Sequence, residues 1–344
     1  MTWIGLTDFE TPVLRKSNAP LAAPVLDAAS ILIEGKTPAR GALPLELARL
    51  SLEAGRTLRL TLNPGGQILV ETLSKAPQTL ARVETDLTSP GLEFRIILNW
   101  PGEILVETGA GRRPFVASVP GLALPDEASL RKFIVQTPPA RAHLSCYAAA
   151  RSPQPIGPFA CIAEGTPIDT AEGPKPIEQI SAGDQVVTHD NGLQPVIWVG
   201  WREMPSCTFH RPIALRAPFF GLEQDVIVSA CHRLMMGGPT VEYLFGVETV
   251  LIQAGDLTFG GGAVSVTSQK VVRFFHLLFS RPELISIAGT LGESLNLSNH
   301  RHLPEILEST MLKGLSAADL PAHRGTARPL KEGVEAAALM RERV

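Results

Sequence analysis

Cysteine is scarce, with 4 in 344 residues. So few, at positions 146, 161, 207 and 231 and without paired spacing, exclude a disulfide-built scaffold. Charge is thin too: 19% of residues are charged, against roughly 25% in ordinary soluble domains. Lys+Arg 31 against Asp+Glu 34 leaves a net charge of -3, which argues against a nucleic-acid partner held by a broad basic surface. No apolar run reaches the roughly 18 residues of a membrane-spanning helix. The opening Met1-Thr2-Trp3-Ile4-Gly5-Leu6-Thr7-Asp8 has neither the basic n-region nor the apolar h-region of an export signal. These absences predict a protein made in the cytoplasm, with export by a route that reads no N-terminal signal left open.

What is abundant is glycine and proline, 30 and 29 residues. Both interrupt helices, which excludes a long-helix or coiled-coil protein. At about 100–200 residues per domain the length predicts two domains. Residues 1–150 read as an N-terminal β-rich domain. Thr57–Leu62 alternates polar and apolar, Asn63-Pro64-Gly65-Gly66 turns, and Ile68–Thr72 returns, which is a hairpin signal. The same unit recurs at 94–108, with Ile104-Leu105-Val106-Glu107-Thr108 repeating Ile68-Leu69-Val70-Glu71-Thr72. Two copies are too few for a solenoid, so a duplicated hairpin in a β-sandwich is expected. Glu71 and Glu107 occupy equivalent places. A catalytic carboxylate pair is one reading, but alternation onto the wet face of a strand explains both and is preferred. Pro125–Val135 predicts a short helix or a helix-strand segment.

A proline-rich linker at 151–160 follows, then a β-rich region at 161–300 with short turns, then a tail at 301–344. In the tail, 304–308 and 330–339 read as helices of an accessory segment. The expected fold class is therefore mostly β: a β-sandwich-like N-terminal domain, a second all-β domain and a short helical C-terminal tail.

The chemistry concentrates after the linker. Cys161-Ile162-Ala163-Glu164-Gly165-Thr166-Pro167-Ile168 is followed by Pro176-Ile177-Glu178-Gln179-Ile180-Ser181-Ala182-Gly183-Asp184-Gln185-Val186. Later come Val228-Ser229-Ala230-Cys231-His232-Arg233, Phe274-Phe275-His276-Leu277 and Ile287-Ala288-Gly289-Thr290-Leu291-Gly292-Glu293-Ser294. In this order the blocks resemble a Hint module, the horseshoe-like self-processing fold of hedgehog autoprocessing domains and inteins, in its bacterial hedgehog/intein-like branch. The resemblance covers about 160–297 and leaves the first 150 residues unassigned.

The resemblance implies that Cys161 attacks the carbonyl of Ala160, an N-S acyl shift that replaces the amide by a thioester. A thiolate is the competent nucleophile, and the chain itself holds the target, so no substrate has to be captured. His232 is implied as the acid that protonates the departing nitrogen, and Ser229 as the hydrogen-bond partner that holds the scissile peptide. The late Asp of many inteins is replaced by His276, for which proton transfer and simple packing both stay open. Water or an added nucleophile or thiol would resolve the thioester. The substrate would be the chain's own N-terminal segment, in one turnover, with no cofactor.

Full splicing is not expected, because Glu293 and Ser294 stand where inteins end in His-Asn. The alternative is an inactive Hint fold serving as a binding or structural module, with a surface- or carbohydrate-binding N-terminal domain. Cys207, His210, Cys231 and His232 have the residue types of a zinc site. Adjacent Cys231 and His232 point apart on a strand, however, so no metal is expected. Cys146, Cys207 and Cys231 are expected to be bystanders. Gly260-Gly261-Gly262 reads as a turn rather than a phosphate loop, since no Lys-Ser/Thr follows. Arg211, Arg216 and Arg233 are expected to be solvated or paired.

Overall fold

A computed structural model describes residues 3–10, 12–14, 26–108, 113–158, 160–206, 211–267, 271–298, 307–316 and 318–342. The chain divides into two compact units, Met1–Ile156 and Gly157–Val344. Both are built mainly of antiparallel strands.

In the first unit, alternation sets the sandwich. Leu58, Leu60 and Leu62 point inward while Thr57, Arg59 and Thr61 do not, as the two-residue period of a strand requires. This strand belongs to a four-stranded meander, Leu45–Ser51, Thr57–Leu62, Gln67–Leu73 and Gln78–Glu84. The meander shares one core with a seven-stranded sheet centred on Ala29–Lys36, Glu93–Trp100 and Leu144–Ala150. The helix Glu127–Val135 starts where Asp126 accepts a hydrogen bond from the Ser129 amide at 2.7 Å, an N-cap for an otherwise unpaired donor.

The duplicated hairpin lands in both sheets, and its copies meet different surroundings. In the first, Arg59 bonds Glu71 at 2.9 Å on a partly exposed face. In the second, Glu93–Trp100 is buried along almost its whole length. Glu107 therefore does not lie on a wet face as alternation predicts. It is buried with Arg95 and Glu34, its Oε2 3.6 Å from an Arg95 guanidinium nitrogen, while Arg95 Nε donates to Glu34 at 2.5 Å. A buried carboxylate is tolerable when a guanidinium stands beside it. Cys146 also departs from expectation, since it is disulfide-bonded rather than a bystander.

The second unit holds a six-stranded and a nine-stranded sheet. The tail is integral to it rather than accessory. Leu330–Lys331 forms a strand parallel to Thr249–Gln253, and the helix begins later than predicted, at Val334–Arg341. That helix buries Ala336, Leu339 and Met340 in the core that holds Ile168, Leu234 and Ile252. Arg328 reaches Asp190 at 2.6 Å and Thr249 at 3.0 Å. The hydrogen bond from Arg328, helped by its charge, holds the Asp190 carboxyl below the usual carboxylate range. Of the other predicted tail helix, residues 304–306 lie outside the described residues, as do Cys207 and His210. Among the described residues, no helix is long and apolar enough to cross a membrane.

Candidate functional site

A two-residue strand, Ile162–Ala163, sits between two neighbours in the six-stranded sheet. On one side Ile162 faces Phe275 of Val271–Leu278, and on the other it faces Val228 of Val226–Ser229. Both pairings are antiparallel, so the residue before Ile162 must face the residue after each partner. Cys161 is thereby flanked by His276 and Ser229. The register alone brings together three residues from three separate sequence blocks.

The side chains complete the arrangement. The Cys161 amide donates to Ser229 Oγ at 3.0 Å, and the Ser229 amide donates to the Cys161 carbonyl at 3.0 Å. Cys161 Sγ lies 3.5 Å from His276 Nε2 and 3.6 Å from the Pro158 carbonyl. His276 Nδ1 lies 3.1 Å from the Ala160 carbonyl oxygen. The amide between Ala160 and Cys161 is thus gripped at nitrogen by Ser229 and at oxygen by His276, with the thiol alongside. Cys161, Ser229 and His276 are all buried, and Met204, Val272 and Phe274 pack around the thiol. Apolar surroundings strengthen each polar contact by excluding competing water.

His232 is placed differently. It follows the turn after Ser229, its amide donating to the Ser229 carbonyl at 2.9 Å, and its own carbonyl accepts from Ala254 at 2.8 Å. The ring is buried, and among the described residues neither nitrogen has a hydrogen-bond partner. It packs on Gly292, where a Cβ would stand 2.6 Å from Nε2. Burial pushes the pKa values of both His232 and His276 down to about 3, with Arg233 adding to the shift at His232 and Arg202 at His276. Both imidazoles are therefore uncharged at neutral pH.

Glu293 and Ser294 point away from this chemistry. Glu293 accepts from Arg233 at 2.7 Å, from Asn296 at 3.1 Å and from the Ala327 amide at 2.8 Å. Ser294 exchanges hydrogen bonds with the Glu283 backbone. Cys231 is half-buried and is not one of the grouped residues. Two members of the site were not singled out from sequence: the Pro158 carbonyl, which carries no side-chain signal, and Gly292, whose need to be small follows only from the ring against it.

Comparison with known proteins agrees in extent. The family described as the Hint domain matches residues 160–299. No curated protein matches. Among solved structures, a bacterial intein-like domain from Clostridium thermocellum is 18% identical, covering 39% of this chain and 99% of that one at a TM-score of 0.30. The MchDnaB-1 intein is 14% identical, with 39% and 99% covered and a TM-score of 0.28. Sheep galectin-11 in complex with glycerol is 13% identical, with 37% and 84% covered and a TM-score of 0.20.

Proposed function

We propose, starting from the Hint domain that residues 160–299 form, that the chain cleaves itself at the Ala160–Cys161 bond without splicing. Sulfur adds to the Ala160 carbonyl carbon and closes a five-membered ring with the Cys161 backbone. The carbon–nitrogen bond then breaks as nitrogen takes a proton, leaving a thioester and a free amine. Water or an added thiol attacks the thioester carbon, and Cys161 leaves with its proton restored. One proton departs from sulfur and one arrives at nitrogen, so the first stage needs no co-reactant.

The observation that carries this reading is the placement of Cys161 opposite both Ser229 and His276, with the scissile amide held by hydrogen bonds at each end. Ser229 keeps the departing nitrogen oriented. His232 delivers the proton to that nitrogen. Because His232 rests uncharged, it does so only as the thiol proton is released into the same buried group, which keeps the site's charge constant. The tethering of Glu293 and Ser294 favours an outcome that stops at N-terminal cleavage.

The test is the mass of the intact chain with and without dithiothreitol. A fragment ending at Ala160 and one beginning at Cys161 are expected to accumulate with thiol. Cys161→Ala abolishes them, and His232→Ala slows them by about a hundredfold. An unchanged mass after prolonged thiol treatment leaves the inactive binding or structural module as the reading.

A further inference from the structure

We infer that His276 is the catalytic base and the carbonyl polariser at once, one neutral ring joining the nucleophile to its target. The inference rests on the cleavage reading above and assigns the residue that starts it. Two distances fix the tautomer. The Ala160 carbonyl oxygen has only lone pairs to offer, so at 3.1 Å it must accept, and His276 Nδ1 must carry the hydrogen. A neutral imidazole has one N–H, which leaves a lone pair on Nε2, and Nε2 is the nitrogen 3.5 Å from Cys161 Sγ. The ring thus presents a donor to the electrophile and an acceptor to the nucleophile. The reverse tautomer would set two lone pairs against each other at the carbonyl and leave the thiol without its base.

The register makes this arrangement rigid. His276 lies on Val271–Leu278, paired to Trp198–Pro205 on its far side through Gly200 and to Ile162–Ala163 on its near side. In the step itself, the S–H proton passes to Nε2, sulfur bonds to the Ala160 carbon, and the carbonyl π pair moves to oxygen. That oxygen is stabilised by Nδ1–H and by the new charge of the ring. No charge enters from solvent. One proton leaves sulfur for the ring and one reaches the departing Cys161 nitrogen, so the group's charge is unchanged when the thioester has formed. Burial lowers the His276 pKa to about 3, so the ring stays uncharged and Nε2 keeps its lone pair across the neutral range. His232, with both nitrogens free of hydrogen bonds, cannot be the residue that sets this start.

The test separates donor from base. Asn at position 276 can place an amide N–H near the Nδ1 position but has no basic nitrogen. Cleavage of the intact chain in thiol is followed by mass from pH 5 to 8.5. The wild type is expected to change little across this range. His276→Asn is expected to be at least a hundredfold slower at pH 7, the usual scale of general-base catalysis. Its rate should rise about tenfold per pH unit toward the ionisation of an ordinary thiol near 8.5, since sulfur must then lose its proton unaided. A His276→Asn chain as fast as wild type, or slower but with the wild-type pH profile, overturns the inference and leaves the cleavage reading intact. His276→Gln, which places its amide near the Nε2 position, checks that the two positions are not equivalent. The tautomer is read independently by nitrogen-15 NMR of the uncleaved Cys161→Ala chain. An Nδ1–H signal is expected, and an Nε2–H signal overturns the inference even for a chain that never fragments.

Discussion

Ser229 holds the amide nitrogen through a single hydroxyl oxygen, and its backbone is locked to Cys161 by the sheet. Removing that oxygen leaves a buried N–H unsatisfied while the strand pairing stays. Ser229→Ala is therefore expected to slow fragment formation about tenfold, the scale of one hydrogen bond, and Ser229→Thr to stay within a few-fold. Time courses of the two variants in thiol decide it. The four candidate residues are legible as residues: a cysteine after a proline-rich stretch, a Ser-x-x-His, and a histidine in an apolar run. Their placement relative to one another is not. Cys161 meets Ser229 and His276 across separations of 68 and 115 residues, and which imidazole touches the thiol depends on strand register. One pairing step would have exchanged the faces. Nor could composition show that His232 lacks hydrogen bonds, since that follows from what packs around its ring.

At the scale of elements, the strand Thr290–Glu293 backs His232 with a residue that has no side chain. A Cβ at Gly292 would lie 2.3 Å from Ile287 Cδ1 and 2.6 Å from His232 Nε2. Gly292→Ala must displace one or both, at a cost of about 1–3 kcal/mol, and is expected to slow cleavage as well as lower the thermal midpoint. The tail helix makes a different prediction. Leu339 is fully buried in the second unit's core, so Leu339→Ala is expected to destabilise that unit by about 2–5 kcal/mol, read from its denaturant midpoint. The sequence pattern predicts this helix within an accessory segment, because a short apolar stripe does not reveal its partner. The duplicated hairpin makes the same point from the other side. Its two copies share a pattern, yet one edge faces solvent and the other buries Glu107 beside Arg95, which also pairs with Glu34, 61 residues upstream.

For the whole molecule, the two buried histidines couple folding to pH. Each binds a proton near pH 3 when folded and near 6.5 when unfolded. Their contribution is complete above about pH 6.5 and drains away as pH falls through that window, because only the unfolded chain takes up protons there. In the uncleaved Cys161→Ala background, the urea midpoint is expected to fall between pH 6.5 and 4 by the equivalent of a few kcal/mol. Adding His276→Asn should flatten part of that fall. A midpoint that holds steady to pH 4 would show that neither ring is as dry as described.

The two-residue strand that seats Cys161 has one more consequence, in time rather than space. It is made early, whereas the histidine it meets is more than a hundred residues downstream. Under the proposed chemistry, a ribosome must finish Val271–Leu278, and the sheet must close, before sulfur has anywhere to put its proton. The N-terminal unit can leave the ribosome and fold while its bond to Cys161 stays inert. Under the proposed chemistry, release then reports that the downstream unit was completed, and a prematurely terminated chain keeps its cargo attached.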